Sequence, residues 1–207
     1  MSRGRFVTVE GTEGVGKTTH LGAIESTLKA RGYPVVVTRE PGGTPVAEAI
    51  RRLLLEPASE AIDPLTELLL MFAARAQHLT TVIRPALARG DWVLCDRFTD
   101  ATYAYQGAGR GVDEALIGEL ERAVHGDLEP DLTVYLDVPV SVAFARIRER
   151  NLDRIEREAT VFFERVRASY LGRAARHRRF RVIDANAELD VVAKRVVATV
   201  EEYLRGV

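Results

Sequence analysis

Apolar residues follow two rhythms along the chain. Short, mostly apolar runs occur at 6–9, 35–37, 92–95, 132–136 and 180–183. Each is strand-length and bounded by turn residues, the pattern of a buried β-strand. Between them the spacing turns helical. Leu21, Ile24 and Leu28 recur on one face of 18–31, and Gly32 supplies a stop. Residues 45–55 predict a helix with Pro45 at its start. Residues 66–88 predict a long helix interrupted or kinked near Pro85. Asp113 caps a helix running to about 125, and another starts near 139. After an arginine-rich stretch, helix resumes to about 175, and an amphipathic helix over 189–204 closes the chain. Strands alternating with helices predict an α/β fold with a five-stranded parallel sheet covered on both faces. Ligands in such sheets sit at the carboxyl ends of the strands. Those ends carry 10–18, 39–43, Asp96-Arg97 and Asp137.

The first strand runs into Gly11-Thr12-Glu13-Gly14-Val15-Gly16-Lys17-Thr18-Thr19, which contains G-x-x-x-x-G-K-[ST] between a strand and a helix. Glycines let backbone N–H groups turn inward around phosphate oxygens, and the following helix adds its positive end. Lys17 would place its charge on the β- and γ-phosphates, and Thr18 would offer its hydroxyl to Mg²⁺. A phosphate loop alone does not separate kinases from switches and motors. The guanine signature Asn-Lys-x-Asp expected of a GTPase does not occur.

Other motifs supply an acceptor side. Asp96 follows the third strand, where an acid can hold Mg²⁺ through water or polarise the acceptor, while Arg97 can clamp phosphate in a bidentate fork. Thr38-Arg39-Glu40-Pro41-Gly42-Gly43-Thr44 lies at the second strand's carboxyl end, on the phosphate-loop side. Met71, Phe72 and Arg75 share a face of the long helix. An apolar side chain beside a cation suits a base next to a carbonyl or phosphate, and a cation on an apolar face needs a partner. The segment 99–111, with Tyr103, Tyr105, Gln106 and a glycine cluster, reads as mobile or tightly turned. Arg146, Arg148, Arg150, Arg154 and Arg157 crowd the region before the last long helix but one. Beside a phosphate loop, that density reads as a lid over about 146–158 that delivers cations to a migrating phosphoryl group.

Composition narrows the partners. Of 207 residues, 46% are apolar and 29% charged, as in an ordinary soluble protein, so one domain with a substantial core is expected. A net charge of −1 gives no global attraction to nucleic acid or acidic membranes. Basic residues are nearly all arginine, which makes Lys17 conspicuous beside Lys29 and Lys194. Cys95 is the sole cysteine, so no intramolecular disulfide forms and a reducing compartment is expected. No leader pattern appears, nor any run near the roughly 18 apolar residues of a membrane span, so a cytoplasmic location is expected.

Taken together, the runs at 9–19, 38–44, 73–77, 96–98, 104–107 and 152–156 closely resemble bacterial thymidylate kinases over nearly the whole chain. The resemblance implies a P-loop nucleoside monophosphate kinase fold with a lid. It also implies transfer of the ATP γ-phosphate to thymidine 5′-monophosphate with Mg²⁺, and a homodimer. By the same resemblance, Glu13 faces the acceptor sugar's 3′-hydroxyl and the metal region. Arg97 and Arg39 hold the acceptor phosphate, and Asp96 supports Mg²⁺ or Arg97. Arg75 bonds a thymine carbonyl, Thr102 contacts the far edge of the base, and Tyr105 fills the space beside the sugar's 2′-carbon. Pro41 and Gln106 fall in runs that line this acceptor site. Arg146 packs on adenine, with backbone groups of 184–187, including Ala185, completing that pocket. The family stacks thymine on a phenylalanine four residues before the arginine; that position is Met71 here, and either Met71 or the displaced Phe72 covers the base. Some members carry an arginine inside the phosphate loop. Gly14 stands there in this chain, so the catalytic cation is expected from the lid, from Arg150 or Arg154. Another deoxynucleoside monophosphate or nucleoside kinase of the same fold is the alternative.

Overall fold

A computed structural model describes residues 4–56, 60–147 and 153–206. Arg148, Arg150 and Leu152 lie outside the described residues. Five parallel strands, β1 (Phe6–Glu10), β2 (Val35–Arg39), β3 (Trp92–Asp96), β4 (Leu132–Asp137) and β5 (Phe180–Asp184), form one sheet in the order β2-β3-β1-β4-β5. β1 is central and buried at every position. Alternate side chains serve opposite layers, as the strand period requires. Val7 and Val9 join a core with Ile24 and Leu28, while Phe6 packs with Val93, Cys95 and Phe98. In the sheet's interior the hydroxyls of Thr8 and Thr133 satisfy each other at 2.9 Å.

One face is covered by α1 (Lys17–Ala30) and α9 (Leu189–Arg205). Val192, Val196, Val200 and Leu204 form the buried stripe of α9 at fourfold spacing. The other face carries α3 (Pro64–His78), α4 (Arg84–Ala88), α6 (Glu114–His125) and α8 (Thr160–Arg176). α2 (Pro45–Leu55) begins behind the Thr44 cap, whose hydroxyl accepts from the Ala47 amide at 3.1 Å. α7 (Val140–Ile147) leads from β4 toward the lid region.

Two segments differ from the sequence expectation. The long helix begins earlier than expected, at Pro64 behind an Asp63 cap, and is interrupted near Pro85, as its sequence predicts. Residues Leu79–Ile83 make a π-helical turn between α3 and α4. Proline cannot bond the carbonyl four residues back and its ring crowds it, and a wider turn upstream removes that conflict. The segment 99–111 is not a mobile turn. It starts as α5 (Thr99–Thr102) and continues as a buried π-helical stretch, Tyr103–Gly109. Its glycines permit close approach: a Cβ on Gly109 would lie 2.5 Å from the Phe162 ring of α8.

Register sets the functional edge. Val9 and Arg39 both pair with Asp96, and Glu10 pairs with Tyr135. The ends of β1, β2 and β3 therefore finish level, beside the point where the strand order reverses.

Candidate active site

The phosphate loop connects β1 to α1. Gly16 caps α1 in the left-handed region at φ 85°, a conformation that glycine adopts without steric cost. Lys17 Nζ donates to the carbonyls of Gly11 at 3.1 Å and Thr12 at 2.8 Å, so the ammonium is held inside the curve of the loop. Burial, and then the nearby Arg97 charge, pull the Lys17 ammonium down to about 8. A polyanion at this position would reverse that shift. Thr18 and Thr19 are exposed at the helix entrance.

Opposite the loop, Arg97 adopts a positive φ of 67°, the only non-glycine among the described residues to do so. Such a backbone persists when its surroundings over-determine it. Here they do. The Arg97 amide donates to Val9 O at 3.0 Å, and the next amide, Phe98, donates to Glu10 Oε1 at 2.7 Å. The guanidinium donates to Glu13 Oε1 at 2.7 Å and to the Tyr170 hydroxyl at 3.3 Å, and lies 4.8 Å from the Tyr105 ring centre. Tyr105 also donates its hydroxyl to Glu13 Oε2 at 2.8 Å. Burial opposes ionisation of Glu13, but the charges of Arg97 and Lys17 outweigh it and hold the carboxyl below its usual range. Glu10, fully buried, is pushed up by burial and then by Asp100. Asp96 Oδ1 is buried with no hydrogen-bond partner among the described residues.

Glu13, Lys17, Asp96 and Arg97 line a cavity of about 530 Å³, together with Arg39, Arg51, Arg146 and Asp153. A smaller one, about 90 Å³, adjoins it and is lined by Pro41, Arg51, Met71, Tyr105 and Gln106 among others. Met71 faces this smaller cavity, whereas Phe72 packs in the core with Leu68, Tyr103 and Ile117. Arg75 is buried. Its Nε donates to Glu40 Oε2 at 2.6 Å, its Nη2 donates to Thr102 Oγ1 at 3.0 Å, and its Nη1 has no partner among the described residues. His78 Nδ1 lies 3.0 Å from Glu40 Oε1, and its Nε2 lies 2.6 Å from Thr38 Oγ1. Arg75 is thus braced by a buried chain from β2 to α5, in which it meets Thr102.

Arg39, at the edge of the larger cavity, is held by Glu48: its Nη2 meets both carboxylate oxygens at 2.8 and 2.9 Å. Arg51 lines both cavities and donates to Pro41 O at 2.8 Å. Sequence reasoning passed over Arg51. The available signal was its position on the buried face of α2, four residues after Ala47 and three before Leu54.

On the far side of the loop, Arg146 bridges Gly14 O at 3.4 Å and Ala185 O at 3.2 Å. It borders a third cavity of about 250 Å³, between the loop and the start of α9. Arg154 lines none of these spaces. Its Nη2 pairs with Glu67 Oε2 at 2.5 Å, and its Nε donates to Leu54 O at 2.7 Å. Asp137, at the end of β4, is taken by Arg167 through two bonds of 2.7 and 2.8 Å.

A parallel sheet of order 2-3-1-4-5, a phosphate loop after the first strand and a cavity on which Lys17, Arg51 and Arg97 converge define a P-loop nucleoside monophosphate kinase. The thymidylate kinase family model matches residues 9–196. A thymidylate kinase of Chromohalobacter salexigens is 58% identical, the match covering 99% of this chain and 98% of the relative. One of Alcanivorax borkumensis is 56% identical over 96% of this chain and 97% of the relative. A crystal structure of thymidylate kinase from Ehrlichia chaffeensis superposes with a TM-score of 0.78 at 35% identity, covering 98% and 99% of the two chains. The chain belongs to the thymidylate kinase family. Its reaction is phosphoryl transfer from ATP to thymidine monophosphate.

Proposed function

We propose that ATP binds over the phosphate loop, that thymidine monophosphate enters the smaller cavity, and that the γ-phosphate crosses the larger one to give thymidine diphosphate. The convergence of Lys17, Arg51 and Arg97 on one cavity, next to a second cavity of mixed apolar and polar lining, carries this reading. Lys17 and the loop amides hold the β- and γ-phosphates. Arg97 and Arg51 hold the acceptor phosphate, and Arg39 joins them when it leaves Glu48. Two pre-positioned anion sites turn the reaction into an oriented transfer between bound groups.

On the base side, Arg75 Nη1 is the free donor for a thymine carbonyl. Met71 covers the base face. Thr102 acts through Arg75, which it already binds. Tyr105 stands beside the sugar and rejects a 2′-hydroxyl, while Glu13 fixes Tyr105 and Arg97 and meets the 3′-hydroxyl. Arg146 and the Ala185 backbone flank the adenine.

The donor set fits Mg²⁺: Asp96 Oδ1 is a buried carboxylate oxygen without a partner, and the Thr18 hydroxyl is open. Bound there, the ion would offset phosphate charge during transfer. Glu13, the third expected contact, has both oxygens engaged by Arg97 and Tyr105, which supports the acceptor-fixing role over the metal role. With Gly14 in the loop, the transition-state cation comes from Arg150 or Arg154, and Arg154 would have to exchange Glu67 for phosphate. A homodimer in the cytoplasm, built from one kinase domain with a lid over about 146–158, completes the proposal. No helix among the described residues is long and apolar enough to cross a membrane.

A coupled assay of ADP release against deoxy- and ribonucleoside monophosphates, with and without Mg²⁺, tests it. Thymidine monophosphate should lead the panel and activity should require the metal. Equal use of ribonucleotides, or full activity in chelator, would overturn the arrangement.

A further inference from the structure

Glu67, on α3, is almost fully buried in the wall of the smaller cavity. Its Oε1 accepts from Gln106 Nε2 at 2.8 Å and from Arg110 Nε at 3.3 Å, while Oε2 accepts from Arg154. Burial opposes its ionisation, but Gln106 and Arg154 and then the neighbouring charges overcome that and hold the carboxyl below its usual range. An ionised carboxylate only accepts hydrogen bonds. The Gln106 amide must therefore turn its NH₂ toward Glu67, an assignment fixed by chemistry and not by the near-equal shapes of amide O and N. The remaining polar atom, Gln106 Oε1, is buried without a partner among the described residues, in a residue that lines the smaller cavity.

We propose that Glu67 is a positioning residue for base selection: by locking the Gln106 amide with its oxygen left free, it makes the cavity require a hydrogen-bond donor on the base. Thymine carries one, its ring imide N–H. Cytosine presents a lone pair at that ring position and would face Oε1 acceptor to acceptor. The inference rests on the smaller cavity being the acceptor-base site. It adds a residue at the wall of that cavity which acts through another, by deciding which face of an amide the substrate meets.

The test compares thymidine monophosphate with deoxycytidine monophosphate for the full-length protein, by calorimetric Kd and by kcat/KM. In Glu67→Gln the residue at 67 can donate as well as accept, so either orientation of Gln106 is allowed. The preference for thymidine over deoxycytidine monophosphate should fall by at least about tenfold, mainly through Kd and KM, because one unmatched buried acceptor no longer penalises cytosine. Lost pairing with Arg110 and Arg154 acts on both substrates alike and cancels in the ratio. The exchange Glu67→Gln with Gln106→Glu restores an accept-only group facing the cavity and should restore the preference. If Glu67→Gln does not fold, the exchange variant carries the test alone: a retained preference supports the proposal and a lost one overturns it. An unchanged ratio in folded Glu67→Gln also overturns it. Failure of the underlying site reading looks different, since the parent protein itself would then show no preference for thymidine monophosphate.

Discussion

Removing Glu40 probes the brace that holds Arg75. Its salt bridge with Arg75 is almost completely withdrawn from water, at 2% and 0% side-chain exposure. In Glu40→Ala the Arg75 guanidinium stays buried with Thr102 Oγ1 as its one remaining polar partner, and His78 Nδ1 loses its acceptor. Breaking a buried pair from one side costs about 3–5 kcal/mol, because the surviving charge remains desolvated. For a chain of 207 residues, each kcal/mol lowers Tm by roughly 2–4 °C, so a loss of about 6–20 °C is expected. Taking out the orphaned cation as well should return part of it. Arg75→Met added to Glu40→Ala should therefore destabilise by less than the sum of the single changes, with a coupling of about 1–3 kcal/mol. Denaturant titrations of the parent, both singles and the double give the cycle directly. Glu48→Ala serves as the contrast, since its pair with Arg39 is half-exposed and worth at most about 1 kcal/mol. If Glu40→Ala costs no more than Glu48→Ala, or if the cycle is additive, Arg75 is not held as described.

Other outcomes follow from the same geometry. Lys17→Ala should fold normally and lose transfer, as circular dichroism and the coupled assay would report. Because the free Lys17 ammonium sits near 8 and bound phosphates raise it, nucleotide binding should take up a proton above pH 8. Affinity should then fall by up to about tenfold per pH unit as pH rises further, while below pH 8 this contribution is constant. Calorimetry in buffers of different ionisation enthalpy would detect the uptake, and its persistence in Lys17→Ala would assign it elsewhere. Arg150→Ala, Arg154→Ala and the double variant should include at least one loss of about 10³-fold in kcat with little change in KM. Turnover within about tenfold in all three would remove the lid as the source of the cation. Tyr105→Gly should relax the rejection of ribonucleotides, and an unchanged ratio of ribo- to deoxynucleotide kcat/KM would assign that rejection to another residue.

The features legible in the sequence were those fixed by local rules. Strand runs, the glycine-rich turn and the capped helices each obey a short-range period or a backbone demand, so the sheet and phosphate loop could be placed before any contact was known. Choices made by tertiary packing were less legible. Whether Met71 or Phe72 faces the cavity depends on how α3 rotates against α6, and Leu68, Tyr103 and Ile117 draw Phe72 inward. The glycines of 103–109 looked like a turn because nothing local announces that α8 must approach there; the Phe162 ring at Gly109 supplies the reason. Arg51 was hidden by its ordinary helical setting, although its place on the buried face of α2 was a usable sign. Arg154 lies in a segment read as lid, yet its partner Glu67 is 87 residues away in sequence, a pairing that no periodicity encodes.

The most direct test follows the transferred group. ATP labelled in its γ-phosphate is mixed with thymidine monophosphate, Mg²⁺ and the protein, and the products are separated and counted. The account predicts that label leaves ATP and appears in the terminal phosphate of thymidine diphosphate, one for each ADP formed. Label released as inorganic phosphate, with thymidine monophosphate unconsumed, would contradict it.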